Sequence, residues 1–307
     1  MAADLTDSIL KVLAYFDLFD YPLRKEEIFA FLDQPVQPVV LSEALEELLE
    51  RENIFLFQPF YSIRDNKELA CRRVTGNLRA QPLLRIGNRI SRILYQCPYV
   101  RAIGISGSLS KNFAAEDADI DYFIITRSDR LWIARTMLHL IKKFSFLLGR
   151  QHWFCMNYFI DEEALEIEEK NIFTAIELLT LLPLRGNSCL NEFYSGNTWT
   201  KEFCPNYRNR SAAADGPVSD SRLKKILESL FDGRAGDWLD NYFMRLTSRR
   251  WKKKEGLQKR SVKGNLMSLQ TGKHFSKPNP GLFQKEILRL YQDNLKNRVP
   301  DRDRILL

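Results

Sequence analysis

The alternation of apolar and polar residues is clearest between residues 100 and 126. Val100–Ile105 is an apolar run rich in β-branched residues, which predicts a short buried strand. A second run follows a Gly-Ser turn, and its side chains divide between two strand faces: Asp119, Asp121, Phe123 and Ile125 on one, Ile120, Tyr122 and Ile124 on the other. We therefore expect a strand that is buried on both faces beyond its start and that begins with two carboxylates roughly 6–7 Å apart.

In the first 70 residues, the spacing of the apolar residues is first that of helices and then that of strands. Helices are predicted over residues 6–19, 24–32 and 41–52, and the third has an inner stripe of Leu41, Ala44, Leu45, Leu48 and Leu49. Residues 54–57 and 60–63, separated by Gln58 and Pro59, predict a hairpin. Three helices followed by a hairpin resemble a winged helix.

A winged helix commonly implies DNA binding, but the charges of the third helix oppose it. That helix carries five carboxylates against Arg51 alone: Glu43, Glu46, Glu47, Glu50 and Glu52. Carboxylates on a helix that enters a groove repel phosphates. We therefore favour a packing or partner-docking role for this domain.

The middle of the chain predicts an alternation of helices and strands. A helix with many arginines is expected over residues 72–97, a helix over 130–148, a strand over 152–160, and a helix over 162–182 that Pro183 ends. Residues 191–209 are irregular and aromatic, and packing over the sheet is the favoured role of their rings. The alternative is that these rings line an acceptor cleft.

The last hundred residues predict a helical tail. Residues 211–221 are small and polar and indicate a linker, residues 273–278 a loop, and residues 282–296 a final helix. A helix is expected over 222–254, with an apolar stripe of Trp238, Leu239, Tyr242, Phe243 and Leu246. The predicted domains are 1–70, 71–209 and 210–307, and the fold class is α+β with a mixed sheet flanked by helices.

The composition is that expected of a soluble globular protein. The 307 residues are 45% hydrophobic and 28% charged, and no apolar run is long enough to cross a bilayer. The N-terminal residues lack the basic and apolar regions of a secretory signal, so we expect a cytoplasmic protein without a membrane partner. The five cysteines are scattered, which predicts reduced and mostly buried thiols.

The net charge of +7 is concentrated in one segment. Residues 245–263 contain nine basic residues and a single acid, Glu255, so the remainder of the chain is almost neutral. One interpretation is a surface for RNA or another polyanion, in which Trp251 stacks on a base or anchors the helix. The other is a solvated helix end followed by a loop.

Candidate chemistry is found at the Gly-Ser turn and the paired aspartates. Two carboxylates at alternate strand positions repel one another unless a cation lies between them, and Mg²⁺ or Mn²⁺ prefers oxygen ligands of this kind. Gly107 and Ser108 offer backbone N–H groups and a hydroxyl to a phosphate, and Lys111 adds a positive charge three residues later.

The spacing of Gly107-Ser108, ten residues, and Asp119-Ile120-Asp121 resembles the motif of the polymerase-beta-like nucleotidyltransferase superfamily. The resemblance implies that Gly107, Ser108 and Lys111 bind a nucleoside triphosphate such as ATP and that Asp119 and Asp121 hold the metal ions. It also implies a transferase that moves a nucleoside monophosphate to an acceptor, which stays unidentified. The motif covers about residues 95–165.

The same resemblance places a third catalytic carboxylate in the middle of the next strand, where this chain has Asn157. An amide is a weaker ligand and no base. Asp161 lies four residues further on and is an alternative, and His152 is another candidate base, although a structural role is favoured for it. The remaining alternatives are a nucleotide- or protein-binding module without turnover and a regulator that binds nucleic acid.

Overall fold

The computed structural model describes residues 2–147, 149, 151–210, 219–257, 269–278 and 280–298. Residues 211–218 of the linker predicted over 211–221 lie outside these ranges, as do Lys259, Arg260 and Lys263 of the basic segment. Within the described ranges, every helix is too short or too polar to cross a bilayer.

Three helices and a hairpin open the chain, as the apolar pattern predicts. They are α1 Ala2–Asp17, α2 Lys25–Phe31, α3 Pro38–Glu50, β1 Phe55–Phe57 and β2 Phe60–Ser62. The predicted stripe of α3 faces inward, with Leu41, Leu45 and Leu48 almost completely buried. Glu43, Glu46 and Glu50 of the same helix are exposed, and such an acidic surface is unfavourable for a nucleic-acid backbone.

The N-terminal helices share their core with later parts of the chain. Their buried residues pack in one cluster with Ile176, Leu179, Tyr207 and Tyr291 from later parts of the chain. A long helix, α4 Lys67–Tyr95, runs through the position at which the sequence placed the first domain boundary. These contacts join the N-terminal helices to the central sheet.

The central region consists of strands and covering helices. In chain order these are β3 Val100–Ile105, α5 Gly107–Ser110, β4 Asp121–Thr126, α6 Leu131–Leu147, a 3₁₀ turn Gln151–Trp153, β5 Cys155–Asp161, α7 Ile172–Thr180, β6 Leu182–Arg185, α8 Asn187–Gly196 and α9 Thr200–Phe203. The C-terminal part adds α10 Arg222–Leu230, α11 Arg234–Gly256, β7 Leu269–Thr271, β8 Phe275–Pro278 and α12 Pro280–Arg298.

The sheet is mixed, which confirms the α+β class. Its strand order is β6-β3-β4-β5-β8-β7, and only β4 and β5 run parallel. Ile120, Tyr122 and Ile124 pack on one face with α6, and Phe123 and Ile125 pack on the other with α7 and α8. The alternation predicted for this strand is therefore correct.

Several predicted boundaries are wrong. Helix α7 covers only the second half of 162–182, and Pro183 lies in the edge strand β6, where a residue without an N–H is tolerated. Residues 275–278, predicted as a loop, form a strand beside β5. The predicted helix 222–254 is broken near Gly233, which has a positive φ of 74°, and the region 191–209 contains helices.

Candidate functional site

The Gly-Ser turn follows directly from the buried strand β3. Ser106 precedes the short helix α5, and its backbone N–H donates to the carbonyl of Asp121 at 2.9 Å. Gly107 has a φ of +70°, a conformation that glycine adopts without steric cost. Ser108 is exposed at the outside of this turn. The turn is thus held against the first residue of β4.

Asp121 lies against the α-carbon of Gly107. A Cβ added at Gly107 would lie 3.2 Å from Oδ2 of Asp121, so the glycine leaves room for the carboxylate. Cys155 is the partner of Asp121 across the parallel strand pair, and its thiol hydrogen-bonds to that carboxylate. Burial and then the negative charge of Asp121 raise the pKa of Cys155 to about 12, so the thiol stays protonated at neutral pH.

Asp119 lies two residues before β4, in a loop, and not within the strand as predicted. Its Oδ1 is 2.6 Å from Nδ1 of His152, whose side chain is 60% exposed. The backbone N–H of Ile120 donates to the carbonyl of His152, which fixes this loop beside the start of β5. His152 itself belongs to the 3₁₀ turn before β5, and not to the strand that was predicted over residues 152–160.

The two aspartates are the sequence-predicted metal ligands. Within the described residues, no group of three or more His, Cys, Asp or Glu side chains is arranged to hold a metal ion. Two carboxylates nevertheless fit magnesium, because this ion is commonly bound by one or two carboxylates, with phosphate and water oxygens completing its octahedron.

Lys111 lies beside the turn, but its ammonium is engaged. Nζ pairs with Oε1 of Glu177 at 2.7 Å and donates to the carbonyl of Gly107 at 3.2 Å. In addition, the hydroxyl of Tyr21 donates to the carbonyl of Lys111. Lys111 therefore braces the turn in this conformation, and direct contact with a phosphate requires it to leave Glu177.

Asn157 occupies an irregular position in β5. Met156 is opposite Tyr122 and Tyr158 is opposite Phe123, which leaves Asn157 as the extra residue of a β-bulge. The side chain of Asn157 lies outside the described part of the chain. Bulges change the direction of side chains and are common beside active sites. The backbone of β5 therefore departs from regular strand geometry at the position where the resemblance places the third carboxylate.

Asp161 is remote from the candidate site. It is the partner of Thr126, at the opposite end of β4 from Asp121, roughly 16 Å away at a rise of ~3.3 Å per residue. Its side chain is completely buried, pairs with His274 at 2.9 Å and accepts backbone hydrogen bonds. Burial raises the pKa of Asp161. These contacts oppose the alternative in which Asp161 replaces the third carboxylate.

A cavity of about 330 Å³ opens next to the turn, on the sheet face that carries Asp121. Ser106 lies at its edge, and its walls are mainly apolar and aromatic: Phe123, Tyr158, Phe173, Leu178, Leu181, Phe193 and Phe283. Two carboxylates also line it, Glu177 and Glu169, and each is paired with a lysine.

Sequence reasoning missed most of this cavity. Phe193 was expected to pack over the sheet, with an acceptor cleft as the alternative; it is buried against the sheet and also forms part of the cavity wall. The contributions of α7 and α12, through Phe173 and Phe283, carry no local signal because they depend on how distant helices pack.

No family model matches the sequence, and neither a curated protein nor a solved structure matches it.

Proposed function

We propose that this protein is a magnesium-dependent nucleotidyltransferase that moves a nucleoside monophosphate from a nucleoside triphosphate to an acceptor. The observation that carries the proposal is the contact between the Asp121 carboxylate and Gly107 of the Gly-Ser turn. This contact joins a metal ligand to a turn suited to phosphate at the same edge of the sheet.

The cavity beside the turn supports a site for the nucleoside. Its aromatic walls suit a planar base, because aromatic rings stack on one another in offset or edge-on geometries. Ser106 belongs to both the cavity and the turn, so a nucleoside in the cavity has its phosphates directed towards Gly107 and Ser108. The base, ribose and phosphates then follow the sheet edge in that order.

Asp119 and Asp121 are the residues that would hold magnesium, which when bound neutralises negative charge on the phosphates. Each carboxylate has a neighbour that orients it. His152 contacts Asp119 at 2.6 Å, and the protonated thiol of Cys155 hydrogen-bonds to Asp121. Such outer contacts commonly fix the direction of metal ligands.

The reaction that fits this arrangement is a displacement at the α-phosphorus. The oxygen of an acceptor hydroxyl forms a bond to that phosphorus as its proton passes to solvent, the bond to the bridging oxygen breaks, and pyrophosphate leaves. The residues of this chain contribute by positioning the substrate. The turn holds the phosphates and the cavity holds the nucleoside, and both lie beside the same sheet.

The first test measures nucleotide binding with and without magnesium, by calorimetry. Asp119→Asn and Asp121→Asn are each expected to abolish magnesium-dependent binding of ATP while the fold is retained, because each removes a charged ligand. Glu116→Gln is a matched control, since it removes an exposed carboxylate from the same loop. Unchanged affinity in both aspartate variants would end the metal-site proposal.

A second candidate function is nucleotide binding without turnover. It is favoured by the engagement of Lys111 with Glu177 and by the distance of Asp161 from the aspartate pair. Release of pyrophosphate separates the two candidates. The protein is incubated with labelled nucleoside triphosphates, magnesium and host extract, and the destination of the label identifies the acceptor. Tight binding with no release across many acceptors would favour the binding module.

A further inference from the structure

The outward face of α11 has an unusual composition. Five residues separated alternately by four and three positions are all exposed: Trp238, Tyr242, Arg245, Arg249 and Lys252. With 3.6 residues per turn, this spacing places them on one side of the helix, along about 21 Å of its length. We name these five residues the α11 stripe.

The two aromatic residues of the α11 stripe form an exposed stack. The rings of Trp238 and Tyr242 are 5.6 Å apart at an interplanar angle of 12°, and the two residues are 68% and 48% exposed. Large aromatic side chains usually contribute to stability by burial, and these two are largely left in water. Their flat faces are therefore available to a ligand.

The orientation of α11 is fixed from its other side. Oδ1 of Asp240 accepts the backbone N–H of Ile133 in α6 at 2.9 Å, and Asp240 is only 5% exposed. Phe243 and Met244 pack against the core of the sheet. The helix cannot rotate to bury Trp238 without breaking these contacts, so the α11 stripe is a permanent part of the surface.

The three charged members of the α11 stripe are all positive. Arg245, Arg249 and Lys252 have no ion-pair partner among the described residues, and none of the five members is acidic. The carboxylate of Asp237, which adjoins Trp238 in sequence, is paired with Arg130 at 2.7 Å. A stacked aromatic pair thus continues directly into a row of cations.

We infer that the α11 stripe binds single-stranded nucleic acid. Bases of a single strand stack on the rings of Trp238 and Tyr242, and the phosphates follow the cations. A duplex fits less well, because its bases are stacked on each other and are not available to side chains. This site is independent of the proposed transfer chemistry and does not require the aspartate pair.

An anionic membrane is the competing partner for such a surface. Membrane-surface helices place large aliphatic and aromatic residues into the acyl boundary, but the α11 stripe has no aliphatic member. The exposed Leu223, Ile226 and Leu230 belong to a different helix, α10. The charge pattern and the flat aromatic stack therefore favour a nucleic acid over a lipid surface.

The test uses the full chain and fluorescence anisotropy with labelled oligo(U) and oligo(A) of twelve nucleotides, a matching duplex, and vesicles containing phosphatidylserine. Trp238→Ala and Tyr242→Ala are each expected to weaken single-strand binding by about 5-fold to 100-fold, which corresponds to the loss of one stacked base. The triple variant Arg245→Gln, Arg249→Gln, Lys252→Gln is expected to lower the slope of log K against log salt by about 2.

A second triple variant controls for net charge. Lys201→Gln, Lys225→Gln and Lys285→Gln remove three exposed cations from other helices and are expected to leave the salt slope unchanged. The inference is overturned if both triple variants weaken binding equally, or if the aromatic substitutions have no effect. It is also overturned if the duplex binds as tightly as the single strand, or if only vesicles bind and Trp238→Ala reduces that binding.

Discussion

The substitution Gly107→Ala tests the contact on which the candidate site depends. The φ of Gly107 is +70°, and the left-handed region costs an L-residue about 1–2 kcal/mol. The new Cβ would lie 3.2 Å from Oδ2 of Asp121, so the carboxylate has to give way by a few tenths of an ångström. We expect the free energy of unfolding to fall by about 1–2 kcal/mol and magnesium-dependent binding of ATP to fall at least tenfold.

The matched control is Gly149→Ala. Gly149 also has a positive φ, +63°, but an added Cβ would have no neighbour within 4 Å. This variant is therefore expected to lose a similar amount of stability and to keep its affinity for nucleotide. Urea unfolding gives the free energies, and calorimetry gives the dissociation constant at saturating magnesium.

The two variants together separate backbone strain from displacement of the carboxylate. If Gly107→Ala binds ATP as the native chain does while losing as much stability as the control, the carboxylate and the turn do not act together. That result would refute the structural basis of the proposed site, whatever activity the protein has.

Three further predictions concern charge. Burial raises the pKa of Asp240 from 3.8 to about 6, so the folded state retains this proton to a higher pH than the unfolded state does. Stability should therefore decline by roughly 2 kcal/mol from pH 4 to pH 7, and Asp240→Asn should remove that decline in urea unfolding. Glu177→Gln releases Lys111 and should tighten ATP binding in calorimetry; weaker binding would show that the ion pair builds the site. Asn157→Asp should raise magnesium affinity and, in a transferase that lacks only the third carboxylate, raise the rate of pyrophosphate release; no change in either quantity would remove this position from the site.

The sequence predicted those features of the candidate site that depend on residues close together in the chain. The face assignment of Phe123 and Tyr122 is correct because strand side chains alternate regardless of the rest of the fold. The contact between Gly107 and Asp121 follows from the antiparallel pairing of β3 and β4, which places the end of the first strand beside the start of the second. The cavity could not be predicted, since its walls come from helices far apart in the sequence, represented by Phe173 and Phe283.

The orientation of α11 shows why the spacing of apolar residues alone is insufficient to predict which face of a helix is buried. The sequence predicted Trp238 and Tyr242 as members of the apolar stripe of this helix, but both are exposed in the structure. Their neighbours Leu239 and Phe243 do pack inward. The rotation is set by a polar contact, in which the carboxylate of Asp240 satisfies a free N–H in the first turn of α6, and such a contact leaves no trace in hydrophobic periodicity.

The N-terminal helices contact the loop that connects the Gly-Ser turn to the aspartates. The hydroxyl of Tyr21 donates to the carbonyl of Lys111, and its ring packs edge-on against Phe113 at 5.7 Å. Phe113 in turn fills the space beside Gly76 of α4, where an added Cβ would lie 2.2 Å from its ring. The N-terminal helices therefore hold the loop that precedes Asp119. This agrees with the packing role that the acidic surface of α3 favours, and it makes the positions of Asp119 and Asp121 depend on helices that contribute neither residue.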